Sequence, residues 1–278
     1  MARVEGTSKL RKMCLHVGLA VIMVVFAFPI VWTMLTSLKM PLQTFAIPPV
    51  WFFRPTLMNY LAVFEQQPFG RYLFNSIVIA LGSTGLALGV GVPAAYAFSA
   101  LRFHGREAFL IATIGLRMLP PIALVVPLYY IMRRLGLLDT HLALVLVYAM
   151  FNAPFVIWML KGFFDEIPED VRHSALVDGC SHFRVLWQIM VPLAAPGLFA
   201  TAVFTYILSW NDFVFALFFT TTKAATLPVA VSGFITEEGV RWGNVGSGGT
   251  IILLPVVVFT LIVQKYLVRG MTAGAVKG

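Results

Sequence analysis

Residues Phe164 to Gly197 read FDEIPEDVRHSALVDGCSHFRVLWQIMVPLAAPG, a polar interruption between long apolar runs. Pro168 suits the first turn of a helix because its missing N–H has no partner there in any case. Glu166, Glu169 and Asp170 place negative charge at the positive end of that helix's dipole. Gly179 ends the helix, since without a Cβ it takes positive φ at little cost. Ser181 then caps a second helix, on which Phe183, Leu186, Trp187 and Met190 fall at i, i+3, i+4 and i+7 as one apolar stripe. Pro192 and Pro196 mark the exit. The grammar is two short helices with a break, and the stripe needs a partner or a membrane surface.

Outward from this segment the chain is apolar. Its 278 residues are 59% hydrophobic and only 12% charged, with a mean hydropathy of +0.88; soluble domains carry about a quarter of charged residues. About 20 apolar residues span a bilayer as a helix, which satisfies every backbone group internally. Six stretches qualify: Leu15 to Ser37, Tyr72 to Leu101, Ala108 to Met132, His141 to Phe163, Pro196 to Thr220 and Gly248 to Val268. The expectation is an all-α integral membrane protein, one domain over residues 1–278, with the polar segment 164–195 between helices four and five. Neither an internal repeat nor a soluble domain is readable. The N-terminal run is too long for a signal-peptide core and reads as a retained first helix.

Lysine and arginine set the orientation. With the N-terminus inside, the inner segments hold twelve: Arg3, Lys9, Arg11, Lys12, Arg102, Arg106, Lys161, Arg172, Arg184, Lys265, Arg269 and Lys277. The outer segments hold seven: Lys39, Arg54, Arg71, Arg133, Arg134, Lys223 and Arg241. That bias predicts both termini inside and puts the 164–195 segment in the cytoplasm. The net charge of +8 is scattered between apolar runs rather than gathered on a face, so nucleic acid is not a predicted partner.

No enzyme constellation is present. His16, His104, His141, His173 and His182 lack metal-ligand spacing, and there is neither a phosphate-binding Gly-x4-Gly-Lys-Ser/Thr nor a nucleophile elbow. Cys14 and Cys180 fall on the inner side, where thiols stay reduced, and form no disulfide framework. Outside, Phe45, Trp51, Phe52, Phe53 and Tyr60, interleaved with prolines, read as headgroup anchors or as a contact for an external protein. The loop Thr221 to Ser247 is a second candidate for that contact. Gly82, Gly85, Gly89 and Gly91 give helix two a small-residue side for close packing.

Arg117 is the sharpest intramembrane feature. A guanidinium near a helix centre costs about 2.5–3.5 kcal/mol on insertion scales, so it is expected to face the bundle interior, water or a counter-charge. Pro120 and Pro121 follow it and permit a kink. Asn211 and Asp212, deep in helix five, are its candidate partners. These five residues are the candidates for a translocation path; the alternative is that Arg117 serves packing and that helix five ends near Trp210.

At its polar segment the chain resembles the EAA loop of ABC importer permeases, Glu-Ala-Ala, three residues, Gly, then about nine residues to Ile-x-Leu-Pro. Here it reads His173-Ser174-Ala175, Leu176-Val177-Asp178, Gly179, and Ile189-Met190-Val191-Pro192. Ala175, Asp178, Gly179, Ile189 and Pro192 agree, while His173 and Ser174 depart. Ile167-Pro168, Trp210-Asn211-Asp212-Phe213 and the tail Gly270 to Gly278 are similar to the carbohydrate-uptake group, in particular the six-helix permeases of maltose-type importers. The resemblance runs from the first apolar segment to the last residue.

It implies an ATP-driven importer of a sugar, polyol or related glycoside in a bacterial cytoplasmic membrane. The implied partners are a second permease, two ATP-binding cassette ATPases, an external solute-binding protein and the lipid bilayer. ATP and Mg belong to the ATPases, with no cofactor on this chain. The residues implied in ATPase coupling are His173, Ser174, Ala175, Asp178, Gly179, Phe183, Leu186, Ile189 and Pro192, and the tail is implied to reach the ATPase pair. At His173, either Glu169, Asp170 and Asp178 supply the family's negative charge or the ATPase differs to suit. The rivals are a secondary carrier or channel, which would need no docking segment, an intramembrane enzyme, and an ABC importer of amino acids, peptides or ions.

Overall fold

The computed structural model describes residues 2–237 and 239–274. The chain separates into two compact units, Met1–Gln67 with Val231–Ile251 and Pro68–Ala230 with Ile252–Gly278.

In the first unit, α1 (Ala2–Ser37) is followed by α2 (Pro41–Thr44) and α3 (Met58–Gln66). Asn59 of α3 closes the end of α1 by donating its amide to the carbonyls of Ser37 and Lys39 at 2.8 and 2.7 Å. Lys39 is buried with its ammonium 4.3 Å from the centre of the Trp32 ring, and burial draws it down from the ordinary lysine range. The expected aromatic anchors divide: Trp51 packs edge-on against Trp32 and Tyr60 bonds the Ser37 hydroxyl, whereas Phe52 is 97% exposed.

The second unit is built on α4 (Phe69–Ala100) and α7 (His141–Asp165), which pack along their length. Of the four helix-two glycines, Gly82 faces Val145 and Gly91 lies so close to Val156 that a Cβ would collide with it, while Gly85 and Gly89 have open space around them. The packing side is therefore narrower than the glycine run implies. Between α4 and α7 come α5 (Arg106–Arg117) and α6 (Pro121–Arg134). After α7 come α8 (Glu169–Val177), α9 (His182–Val185), a π-helical turn at Leu186–Met190, α10 (Val191–Leu193), α11 (Ala195–Trp210) and α12 (Val214–Phe219). The chain continues through α13 (Leu227–Ser232), a small antiparallel hairpin of β1 (Ile235–Thr236) and β2 (Gly239–Val240), and α14 (Trp242–Gly274).

Four helices among the described residues are long and apolar enough to cross a membrane: Arg11–Ser37, Phe69–Ala100, His141–Asp165 and Trp242–Ile262. The count reaches six if each of two bent pairs is one span. The expected span Ala108 to Met132 is one such pair, α5 and α6, bent by 93°. Its break has a local cause, because Pro120 and Pro121 offer no N–H to continue α5 and hold the preceding backbone extended. The expected span Pro196 to Thr220 also ends early, at Trp210, and resumes at Val214. The other pair is His182–Leu193 with Ala195–Trp210, bent by 83°.

The loops joining these helices are pinned by one carboxylate. Asp139, between α6 and α7, accepts from the backbone N–H groups of Thr221, Thr222, Lys223 and Ala224 and from the Thr221 hydroxyl. Asn75 adds a second tie, donating to the carbonyls of Lys223 and Ala225 while His141 bonds its amide oxygen.

Candidate functional site

The two-helix segment forms as its local chemistry dictates. Pro168 is the N-cap of α8, with Glu169 and Asp170 in the first turn. At the other end Gly179 sits at φ +83°, its N–H bonds the Leu176 carbonyl at 3.1 Å, and Cys180 N–H reaches back to Ala175 at 3.0 Å. That pair of bonds is a Schellman closure, and its left-handed residue favours glycine. Ser181 caps α9 by accepting from Arg184 N–H at 3.3 Å.

The apolar stripe divides. Leu186 and Met190 are each 3% exposed and pack with Val185, Ala175, Tyr96, Phe164 and Ala194. Phe183 and Trp187 point outward at 74% and 41% exposure, their rings 6.2 Å apart. Each i, i+4 pair keeps to one side, so the stripe straddles the edge of the buried face, and the π-helical turn at Leu186–Met190 widens the winding where the buried pair sits. His182 bonds the Tyr96 hydroxyl at 3.2 Å, so the segment is tied to α4 as well as joined to α7 and α11.

Among the other residues singled out here, His173, Ser174, Asp178, Gly179 and Pro192 are exposed, Ile189 is half-buried, and Ala175 is buried. His173 lies 3.4 Å from the Arg172 guanidinium, which also meets Glu169 at 3.7 Å. The segment thus has a buried side held by the helices and an outer side of Val177, Phe183 and Trp187 among polar groups.

A second polar site lies where α5 and α6 break. A cavity of about 210 Å³ is lined by Arg117, Pro121, Tyr148, Phe151, Asn152, Leu208, Ser209, Asp212 and Phe215. The structure brings three of the five path candidates here; Pro120 and Asn211 do not line it, and Asn211 instead donates to the Ile207 carbonyl at 2.9 Å. The expected ion pair within the chain is corrected: Arg117 and Asp212 share the cavity but do not pair. The Arg117 guanidinium lies 4.9 Å from the centre of the Phe155 ring. Asp212 accepts from Phe215 N–H at 3.1 Å, capping α12, which is why the helix restarts there.

Sequence reasoning missed three members of this site. Ser209 accepts from Ser83 and from Asn152, each at 2.9 Å, joining α4, α7 and α11 through buried hydroxyls and an amide. Tyr148 and Asn152 lie one turn apart on α7, and an asparagine within so apolar a helix was a usable signal.

A family model described as binding-protein-dependent transport system inner membrane component matches residues 87–273. The chain is 40% identical to a probable ABC transporter permease of Sinorhizobium fredii over 278 residues, the whole of both chains. It is 37% identical over 273 residues to the trehalose/maltose transport system permease of Thermococcus litoralis, covering 97% of this chain and 98% of that one. Among solved structures, a bacterial ABC transporter involved in alginate import aligns with a TM-score of 0.76 at 23% identity, over 94% of this chain and 97% of that chain.

Proposed function

Because the chain belongs to the family of binding-protein-dependent transport system inner membrane components, transport subunits rather than enzymes, we propose that it is one half of the pathway of an ATP-driven importer for a sugar, polyol or related glycoside. It is a multi-pass membrane protein of the ABC permease family. The single observation that carries the coupling role is the α8–α9 segment, anchored on α4 yet presenting Phe183 and Trp187 outward with no core to cover them. The trehalose/maltose permease relative supports the carbohydrate class.

In this reading the chain makes six spans with both termini in the cytoplasm of a bacterial inner membrane, as one transmembrane domain. The α5–α6 pair then counts as one span, and the fifth span begins at α11, so that α9 and α10 stay with the polar segment. The segment lies on the ATP side, where His173, Ser174, Ala175, Asp178, Gly179, Phe183, Leu186, Ile189 and Pro192 form or support the surface gripped by an ATPase. Two such ATPases hold ATP and Mg, a second permease completes the pathway, and an external solute-binding protein delivers cargo. Nucleotide closure moves the segment, and the helices joined to it rock between two states. The tail residues 275–278, expected to reach the ATPases, lie outside the described residues.

The test is uptake into proteoliposomes carrying the assembled complex. Uptake is expected only with ATP inside the ATPase compartment and binding protein outside; uptake at the same rate without ATP overturns the reading.

A further inference from the structure

A cavity of about 260 Å³ lies where α4 and α7 end and α5 and α8 begin. Three arginines from three elements line it: Arg102 in the α4–α5 loop, Arg106 in the first turn of α5 and Arg172 in α8. Two carboxylates line it as well, and neither answers the first two arginines. Asp165 is taken by the Lys161 ammonium and by the Ser99 hydroxyl at 2.6 Å, and Glu169 stands 3.7 Å from Arg172. The Arg102 and Arg106 side chains have no hydrogen-bond or ion-pair partner among the described residues. With Asp165 matched by Lys161, three cations face one remaining carboxylate, and the cavity holds an excess of two positive charges. A cleft lined by one sign of charge gathers counter-ions.

The geometry selects the counter-ion. A carboxylate presents two oxygens in one plane. Guanidinium forks arriving from three elements need acceptors spread in three dimensions, which a tetrahedral phosphate group has. Depth points to the source of that phosphate. The cavity sits at the ends of two long apolar helices, the level of lipid headgroups, and basic pockets between helices on the cytoplasmic side take anionic headgroups. Leu101, Phe103 and Phe109, beside the arginines in the chain, are exposed and offer apolar surface to the glycerol and upper chains of such a lipid.

We propose that Arg102, Arg106 and Arg172 form a phosphate site, filled by the headgroup of an anionic phospholipid that clasps the α4–α5 loop to α8. Its place in the cytoplasmic leaflet rests on the importer reading above. A soluble phosphate ester shares the chemistry but brings no chains for the apolar surface.

The experiment uses the transporter assembled with its own second permease and ATPases in neutral detergent. Mixed micelles supply radiolabelled phosphatidylglycerol, and the lipid retained after gel filtration is counted beside the melting temperature. Wild type is expected to retain the lipid and to melt higher with it. Arg102→Gln and Arg106→Gln are each expected to weaken retention about fivefold, the effect of one basic contact at a membrane surface. Because both side chains lack partners, the lipid-free variants are expected to melt with the wild type. Arg11→Gln, on α1 and in the same inner set of basic residues, removes an equal charge outside the cavity and is expected to retain the lipid fully. Equal retention in wild type and both cavity variants overturns the proposal, as does an equal loss in Arg11→Gln, which assigns the effect to net charge. Glycerol phosphate separates the sources: lipid that stays bound in its presence supports the headgroup, whereas displacement keeps the phosphate site but overturns the lipid as its occupant. Release of the ATPases from the Arg106→Gln complex with lipid retention unchanged also overturns the proposal, by giving the arginines to the ATPase. The failures are distinguishable, since uptake without ATP overturns the importer reading while lipid retention is counted on the same complex without any transport.

Discussion

Gly179 and Asp139 show how single residues carry different burdens in this chain. At Gly179 no neighbour stands within 4 Å of where a Cβ would be built, so the constraint lies in the backbone at φ +83°. A β-branched residue there costs on the order of 1–3 kcal/mol or forces the Schellman turn to open. Gly179→Val is therefore expected to leave the subunit inserted but to reduce substrate-stimulated ATP hydrolysis severalfold; wild-type stimulation in the assembled complex would refute this. Asp139 is constrained by partners instead. Burial pushes its carboxyl up, but the N–H groups of Thr221, Lys223 and Ala224 and the Thr221 hydroxyl outweigh that and hold it well below the usual carboxylate range. A depressed folded pKa means that its stabilisation is complete above the unfolded value of about 3.9 and is lost only as pH falls toward the folded one. Asp139→Asn is expected to lower stability by about 1 kcal/mol after allowing for solvent screening. In thermal unfolding, the gap between wild type and variant should stay constant from pH 8 to 5 and narrow only in stronger acid; a gap that closes between pH 7 and 5 contradicts the assignment.

At the scale of elements, the α4–α7 pair is the frame on which both sites are hung, and of the glycines of α4 that face α7, Gly91 against Val156 leaves the least room for a Cβ. Gly91→Ala is expected to destabilise the subunit by about 1–3 kcal/mol through overpacking, even though alanine is the better helix former. Val156→Ala in the same chain should recover much of that loss, measured by thermal unfolding in detergent; a double variant as weak as the two single losses combined would place the strain elsewhere. The two sites differ in how far the sequence disclosed them. The α8–α9 segment was legible because its caps are local: Pro168, Gly179 and Ser181 act on neighbours within a few residues. Its π-helical turn was not, since nothing in the spacing of Phe183, Leu186, Trp187 and Met190 announces a wider winding. The break of the third stretch was written in Pro120-Pro121, yet hydropathy counts apolar residues and is blind to their direction. The cavity was half-legible: Arg117 and Asp212 stood out as charges in apolar runs, whereas Tyr148 and Ser209 acquire their roles only when α7 and α11 come together.

At the scale of the whole molecule, the proposal depends on which side of the membrane each polar segment faces. The positive-inside count favours α8–α9 in the cytoplasm, yet Arg133 and Arg134 in the last turn of α6 oppose it. Those two arginines sit beside the carbonyl end of that helix, where cations are stabilised by the dipole, so a local use accounts for them without reversing the orientation. The Asp139 clamp ties the loop that follows α6 to Thr221–Ala224, so these two loops must face the same side, opposite α8–α9 if α7 crosses the membrane once. This links orientation to a pair of positions that can be labelled. In a chain with Cys14 and Cys180 replaced by serine, single cysteines are placed at Ser174 and Lys223, both outside the core. In intact cells or right-side-out vesicles, a membrane-impermeant maleimide is expected to label the cysteine at 223 and to reach the one at 174 only after permeabilisation. The reverse pattern would put α8–α9 outside, away from any ATPase, and would remove the coupling role. Equal labelling of both positions in sealed vesicles would mean that α7 does not separate them across the bilayer, and the six-span arrangement would fall with it.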